Sequence, residues 1–165
     1  MEAEIVVKEY YSEYQSQVID LILHIQQNEY NIPISKGDQP DLLDIENFYQ
    51  KNNGNFWVAL HNDNVVGTVA LLDIDNNQVA LRKMFVDQNY RGKVFKPAAL
   101  LLNTAIEWAK ERNLQAIFLG TTLQFVAAHR FYEKSGFQLI TLEDIPDKFP
   151  VMKVDKRFYK YTIQA

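Results

Sequence analysis

The stretch from Val79 to Lys110 constrains this chain more than any other, because it reads as a strand, a basic turn and a helix in direct succession. Gln78 to Val86 is rich in β-branched and aromatic residues, whereas Pro97 to Arg112 sets its apolar side chains at helical spacing. The linker Asp87-Gln88-Asn89-Tyr90-Arg91-Gly92-Lys93-Val94-Phe95-Lys96 gathers Arg91, Lys93 and Lys96 in a protein whose net charge is -4. Pro97 suits the first helical position, and Lys96 before it has no side-chain oxygen with which to cap the free amides. Two other helix starts, Ser12-Glu13-Tyr14-Gln15 and Thr121-Thr122-Leu123-Gln124, fit the capping-box pattern. A helix left uncapped beside a glycine and three cations can take a phosphate as its cap, using free N–H groups and a partial charge of roughly half a unit. The donors would be the amides of Gly92 to Lys96 and of Ala98. A βα turn with a solvated basic surface is the alternative reading of the same residues.

The rest of the composition narrows the class. A chain of 165 residues with 47% hydrophobic content is the size of a single domain, 1–165, with a substantial core. Ten Phe, nine Tyr and two Trp argue against disorder. Cysteine is absent, which removes disulfides and thiolate metal sites and suits a reducing compartment. His24, His61 and His129 lack ligand spacing, so no metal is expected. The N-terminus has no signal-peptide pattern and no apolar run approaches membrane-spanning length, so a soluble cytoplasmic protein without a membrane role is expected. With an acidic balance and no basic stripe, nucleic-acid binding would lack its driving force.

Read in order, the chain predicts a strand at Ile5 to Glu9 and a helix from Ser12 to about Asn28 with Val18, Leu21, Ile22 and Ile25 on one face. A loop over Glu29 to Gln39 leads into a second helix from Pro40 to Tyr49. Strands at Asn55 to Leu60, Val65 to Asp73 and Gln78 to Val86 follow at hairpin spacing and form an antiparallel meander. After the Pro97 helix, the short apolar run Ala116 to Gly120 predicts a central strand, and a right-handed crossover makes it parallel to the meander's last strand. A helix from Leu123 to Ser135 and strands at Phe137 to Thr141 and Lys153 to Ile163 complete the chain.

This order of elements, together with Leu81-Arg82-Lys83-Met84-Phe85-Val86 before Tyr90-Arg91-Gly92-Lys93, and Ala128-His129-Arg130-Phe131-Tyr132-Glu133-Lys134-Ser135-Gly136-Phe137, resembles the GNAT superfamily of acyl-CoA-dependent N-acetyltransferases. The resemblance covers essentially the whole chain. It implies an α/β (α+β) fold with a mixed, mainly antiparallel seven-stranded sheet, a splayed parallel central pair and about four flanking helices. It also implies acetyl-CoA as acyl donor, a small-molecule or peptide amine as acceptor, and edge strands that leave a homodimer open.

By the same resemblance, Met84, Phe85 and Val86 would offer main-chain groups to the pantetheine arm, with one strand amide as oxyanion donor. Arg91, Gly92, Lys93, Val94, Phe95 and Lys96, with Ala98, would hold the pyrophosphate. Tyr132 matches the tyrosine that protonates the departing thiolate; without the family it reads as a packed aromatic. His129, beside Arg130, reads as a surface residue. The chain departs from the family pattern at Val94 and Lys96, which replace small residues of the loop, at Phe125 in place of an asparagine, and at Ala80 in place of a glutamate on the fourth strand. The missing glutamate matters because a lysine-like amine of pKa about 10.4 is almost wholly charged at neutral pH, whereas an α-amine near about 8 is less so. Glu29 and Asp41 are the candidate bases near the acceptor, and Glu29 is taken as the catalytic one.

The sequence thus leads to an acetyltransferase working by direct transfer in a ternary complex, since no cysteine could carry an acyl group. Its rival is a non-catalytic acyl-CoA-binding or regulatory module on the same fold, motivated by Ala80, Val94 and Phe125.

Overall fold

The structure, a computed structural model, describes residues 4–91, 96–123 and 125–163. Its strands are β1 (Val6–Glu9), β2 (Asn55–His61), β3 (Asn64–Asp73), β4 (Gln78–Val86), β5 (Ala116–Thr121), β6 (Gln138–Ile140) and β7 (Arg157–Thr162). They form one sheet in the order β1-β2-β3-β4-β5-β7-β6, in which only β4 and β5 run parallel among the described residues. Tight connections make the meander. Asn62 and Asp63 between β2 and β3, and Asp75, Asn76 and Asn77 between β3 and β4, all adopt positive φ. Asn and Asp tolerate that conformation better than other side chains, and the reversal of the chain requires it.

The helices are α1 (Gln15–Leu23), α2 (Ile45–Tyr49), α3 (Pro97–Glu111) and α4 (Val126–Lys134), and they cover the two faces of the sheet. Because side chains alternate along a strand, β2 sends Trp57 and Ala59 to one core and Phe56, Val58 and Leu60 to the other. The first core receives Leu101, Leu102, Ala105 and Ala109 from α3 and Tyr132 from α4; the second receives Val18, Ile19 and Ile22 from α1 and Ile45 and Tyr49 from α2. A third, smaller cluster joins Ala80, Ala116, Phe118, Phe149 and Phe158 beneath the paired ends of β4 and β5.

Helix starts differ from expectation. Ser12 opens a 3-10 turn, Ser12–Tyr14, with Tyr11 extended before it, so the serine sits inside the turn and caps nothing with its side chain. α4 begins at Val126 after Phe125, again without a side-chain cap, and Gln124 of the expected box lies outside the described residues. An uncapped start therefore does not set α3 apart. What does is the left-handed conformation of Lys96, φ 47°, immediately before Pro97. At the other end of α1, the helix widens into a π-helical turn, His24–Glu29, a form frequently found at functional sites. No described helix is long and apolar enough to cross a membrane.

Candidate active site

β4 and β5 pair only where Gln78, Val79 and Ala80 lie opposite Ala116, Ile117 and Phe118. Beyond that point β4 stays with β3 and β5 stays with β7, so the two strands part. A bulge sits just past the divergence. Thr68 of β3 faces Phe85 while Ala70 faces Arg82, which leaves β4 one residue longer than its partner across this span. Lys83 absorbs the extra length with φ 54°, and the Thr68 hydroxyl donates to its carbonyl at 2.6 Å. Such a bulge bends a strand and re-aims the residues after it. A cavity of about 430 Å³ opens into the gap.

One end of the cavity is apolar backbone and strand edge. Met84, Phe85, Val86, Arg91, Lys96 and Ala98 all line it, while Gly92, Lys93, Val94 and Phe95 lie outside the described residues. Lys96 is exposed at the start of α3, where the first helical amides have no acceptor within the helix. Arg91 is differently placed, for its guanidinium already serves the protein: Nε donates to the Val86 carbonyl at 2.9 Å and Nη1 pairs with Glu29 Oε1 at 2.8 Å. Thr122, where β5 leaves for α4, lines the same cavity, and its Oγ1 is buried without a partner among the described residues. Phe125 is part of the wall, edge-on to Tyr30 at 4.6 Å and to Phe85 at 6.0 Å between ring centroids.

Tyr132 is buried in the wall opposite β4, against Phe137 and Tyr159. Burial pushes its phenol well above the ordinary tyrosine value, so the hydroxyl keeps its proton at neutral pH. That hydroxyl has no hydrogen-bond partner among the described residues, and the ring lines the cavity. His129, expected on the surface, is instead buried, because its Nε2 donates to the Thr122 carbonyl at 2.8 Å and pins the turn between β5 and α4.

The other end of the cavity is polar and comes from distant parts of the chain. Lys83 is 7% exposed. Its Nζ lies 3.5 Å from Asp41 Oδ2 and donates to Gln39 Oε1, while Tyr49 donates to Asp41 Oδ2 at 2.5 Å. Gln39 in turn donates to Gln26 Oε1 at 2.8 Å, which ties the π-helical turn to the network. Burial pulls the Lys83 ammonium down to about 8 despite the opposing pull of Asp41, and burial raises the Tyr49 phenol. Asp155, whose Oδ2 accepts from the Met152 amide at 2.9 Å, lines the cavity across from Lys83; burial raises its carboxyl, and Arg82 and Lys83 oppose the rise.

Of the two candidate bases, Asp41 sits in this network, and Glu29 lies at the edge as the anchor of Arg91, outside the cavity lining. Ala80 lies in the paired part of β4 and does not line the cavity either. The sequence reading did not single out Arg82, Lys83, Thr122 or Asp155. Two adjacent cations inside an otherwise apolar strand were the signal for the first two.

These features fit the findings from known proteins. Residues 19–137 match the model of the acetyltransferase (GNAT) family. The chain belongs to the GNAT family. A crystal structure of a GNAT-family acetyltransferase from Staphylococcus aureus Mu50 superposes with a TM-score of 0.93 at 44% identity, covering 97% of this chain and 99% of that one. An acetyltransferase from Streptococcus agalactiae gives 0.91 at 33% identity, covering 96% and 98%. Among curated GNAT relatives, N-acetylaspartate synthetase of Danio rerio is 44% identical over 102 residues, 61% of this chain and 36% of that protein. The chain thus spans about a third of the length of such curated relatives.

Proposed function

We propose that this GNAT protein is an N-acetyltransferase that moves the acetyl group of acetyl-CoA to a primary amine, with both substrates bound together. The observation that carries the reading is the cavity itself: the unpaired part of β4, the start of α3 and Tyr132 all line one space. Acetyl-CoA would supply an activated thioester. The chain's part is to hold it and to manage charge. Amides at the open edge of β4 polarise the thioester carbonyl, and the α3 start with Lys96 receives the diphosphate.

The amine nitrogen then bonds to the acetyl carbon, the carbon–sulfur bond breaks, and one proton leaves the nitrogen while the sulfur gains one. Tyr132, held protonated by burial, donates to the sulfur, whose own basicity rises in the same desolvated place. Glu29 is tied to Arg91, so the proton of the amine is better received by a carboxylate that lines the cavity. The absence of cysteine leaves no thiolate for an acyl-enzyme. N-acetylaspartate synthetases, by their name, form an acylated amino acid, which agrees with an amine acceptor.

Two measurements test this together. Calorimetry with acetyl-CoA should show saturable binding, and thiol release should rise when an amine panel is added. Binding without release against every amine would favour the rival binding module; no binding would end both readings.

A further inference from the structure

We infer that the acceptor is an amino acid, an amine that also carries a carboxylate, and that Arg82 holds that carboxylate. The inference rests on the acetyltransferase reading and concerns the polar end of the same cavity. Arg82 is half-buried, yet of its five N–H donors only Nη2 meets an acceptor among the described residues, and that acceptor is the Met152 sulfur at 3.3 Å. A thioether is a weak partner for a guanidinium. Among the described residues no carboxylate lies within 4.0 Å of Arg82, in contrast to Arg91 and Arg157, which are paired at 2.8 and 3.1 Å.

The rest of its surroundings fix the fork in place. The Phe48 and Tyr49 rings lie 5.8 and 5.9 Å from the guanidinium carbon, within cation–π range. A planar fork, held on aromatic faces and turned into a cavity, is the geometry that binds a carboxylate through two parallel hydrogen bonds. The neighbouring cation does not compete for the role, since Lys83 is committed to Asp41 and Gln39.

The cavity also holds a place for the other charge. Met152 touches Arg82 through its sulfur and Asp155 through its amide, so the free guanidinium and a cavity-lining carboxylate flank one residue. A ligand with a carboxylate and an ammonium a short distance apart matches that pair. A diamine or polyamine would leave Arg82 facing a second positive charge.

Thiol release should be measured with L-amino acids and with the amines left when their carboxyl group is removed. The amino acids should be preferred by roughly 50-fold in kcat/KM, the scale of one lost bidentate charge-assisted contact. Arg82→Gln should erase most of that preference through KM, leave acetyl-CoA affinity by calorimetry within about threefold, and spare the decarboxylated amines. Arg82→Lys should restore part of it as a point charge. Equal use of decarboxylated amines, or an equal loss for both classes in Arg82→Gln, would overturn the inference while leaving the transferase intact. Should acetyl-CoA bind with no amine turned over, amino acids titrated into the CoA-bound protein decide. Saturable heat that vanishes in Arg82→Gln supports the assignment, and no heat overturns it. No heat with acetyl-CoA removes the transferase reading and this one with it.

Discussion

Gln78 to Ala80, the first three residues of β4, pair with β5, Val79 and Ala80 pair with β3 as well, and the run ends in an apolar cluster with Phe118 and Phe149. Arg82 to Val86, the last five, have no partner on the β5 side and carry a bulge, a left-handed lysine and two cations. One strand therefore does two jobs. Its paired half satisfies its backbone groups within the sheet, whereas its open half keeps an edge left to water, a ligand or, at the Val86 carbonyl, the Arg91 side chain. The second lesson concerns charge: Lys83 on the open half is stabilised by Asp41 from before α2, so the opening depends on a polar bridge between distant segments.

If that bridge is what holds the open half, Lys83→Met should be the most damaging change considered. It leaves Asp41 buried with Tyr49 alone and should cost about 3–5 kcal/mol in chemical denaturation. Adding Asp41→Asn should recover part of the loss, as a double-mutant cycle would show. The same variant has a pH signature. In the folded protein Lys83 loses its proton near about 8, in the unfolded chain near 10.5, so between those values the unfolded state binds more protons. Stability contributed by Lys83 should therefore rise with pH across 8 to 10, by at most ~3 kcal/mol, and Lys83→Met should abolish that slope. Above this window the raised phenol of Tyr49 works in the opposite direction. A flat wild-type profile would break the comparison.

Tyr132 faces the open half from across the cavity and should matter for turnover more than for binding. Tyr132→Phe should lower kcat about 100-fold and leave acetyl-CoA affinity within about twofold, in steady-state kinetics and calorimetry. An unchanged kcat would return Tyr132 to a packing role. The smallest expected effect is at the mouth: Lys96→Ala should weaken acetyl-CoA by about fivefold at low salt and by less at high salt, because an exposed charge is screened.

The fold was legible from local chemistry. Asn and Asp at the hairpin turns, apolar stripes at helical spacing and the short apolar β5 each act within a few residues. Met84 to Val86 were named through the family resemblance rather than from local chemistry, and they line one end of the cavity. Helix caps misled: a serine one position inside a 3-10 turn looks the same in sequence as one that caps it. The polar end was legible only at Asp41, a candidate base from the start; Gln39, Lys83 and Asp155 join it only after the sheet is assembled. His129 looked solvated for want of any sign that the carbonyl of Thr122 would fold back to meet it.

The Arg91 guanidinium reaches Glu29 on the π-helical turn and the carbonyl of Val86 on β4, with its charge also near the Tyr30 ring at 5.9 Å. One side chain thus staples the end of β4 and the turn after it to the π-helical segment on the far wall. Whatever loosens the staple on behalf of one substrate is felt by the other, and linkage requires the influence to run equally in both directions. On the proposed function, acyl-donor affinity and acceptor affinity are then two readings of a single mechanical joint.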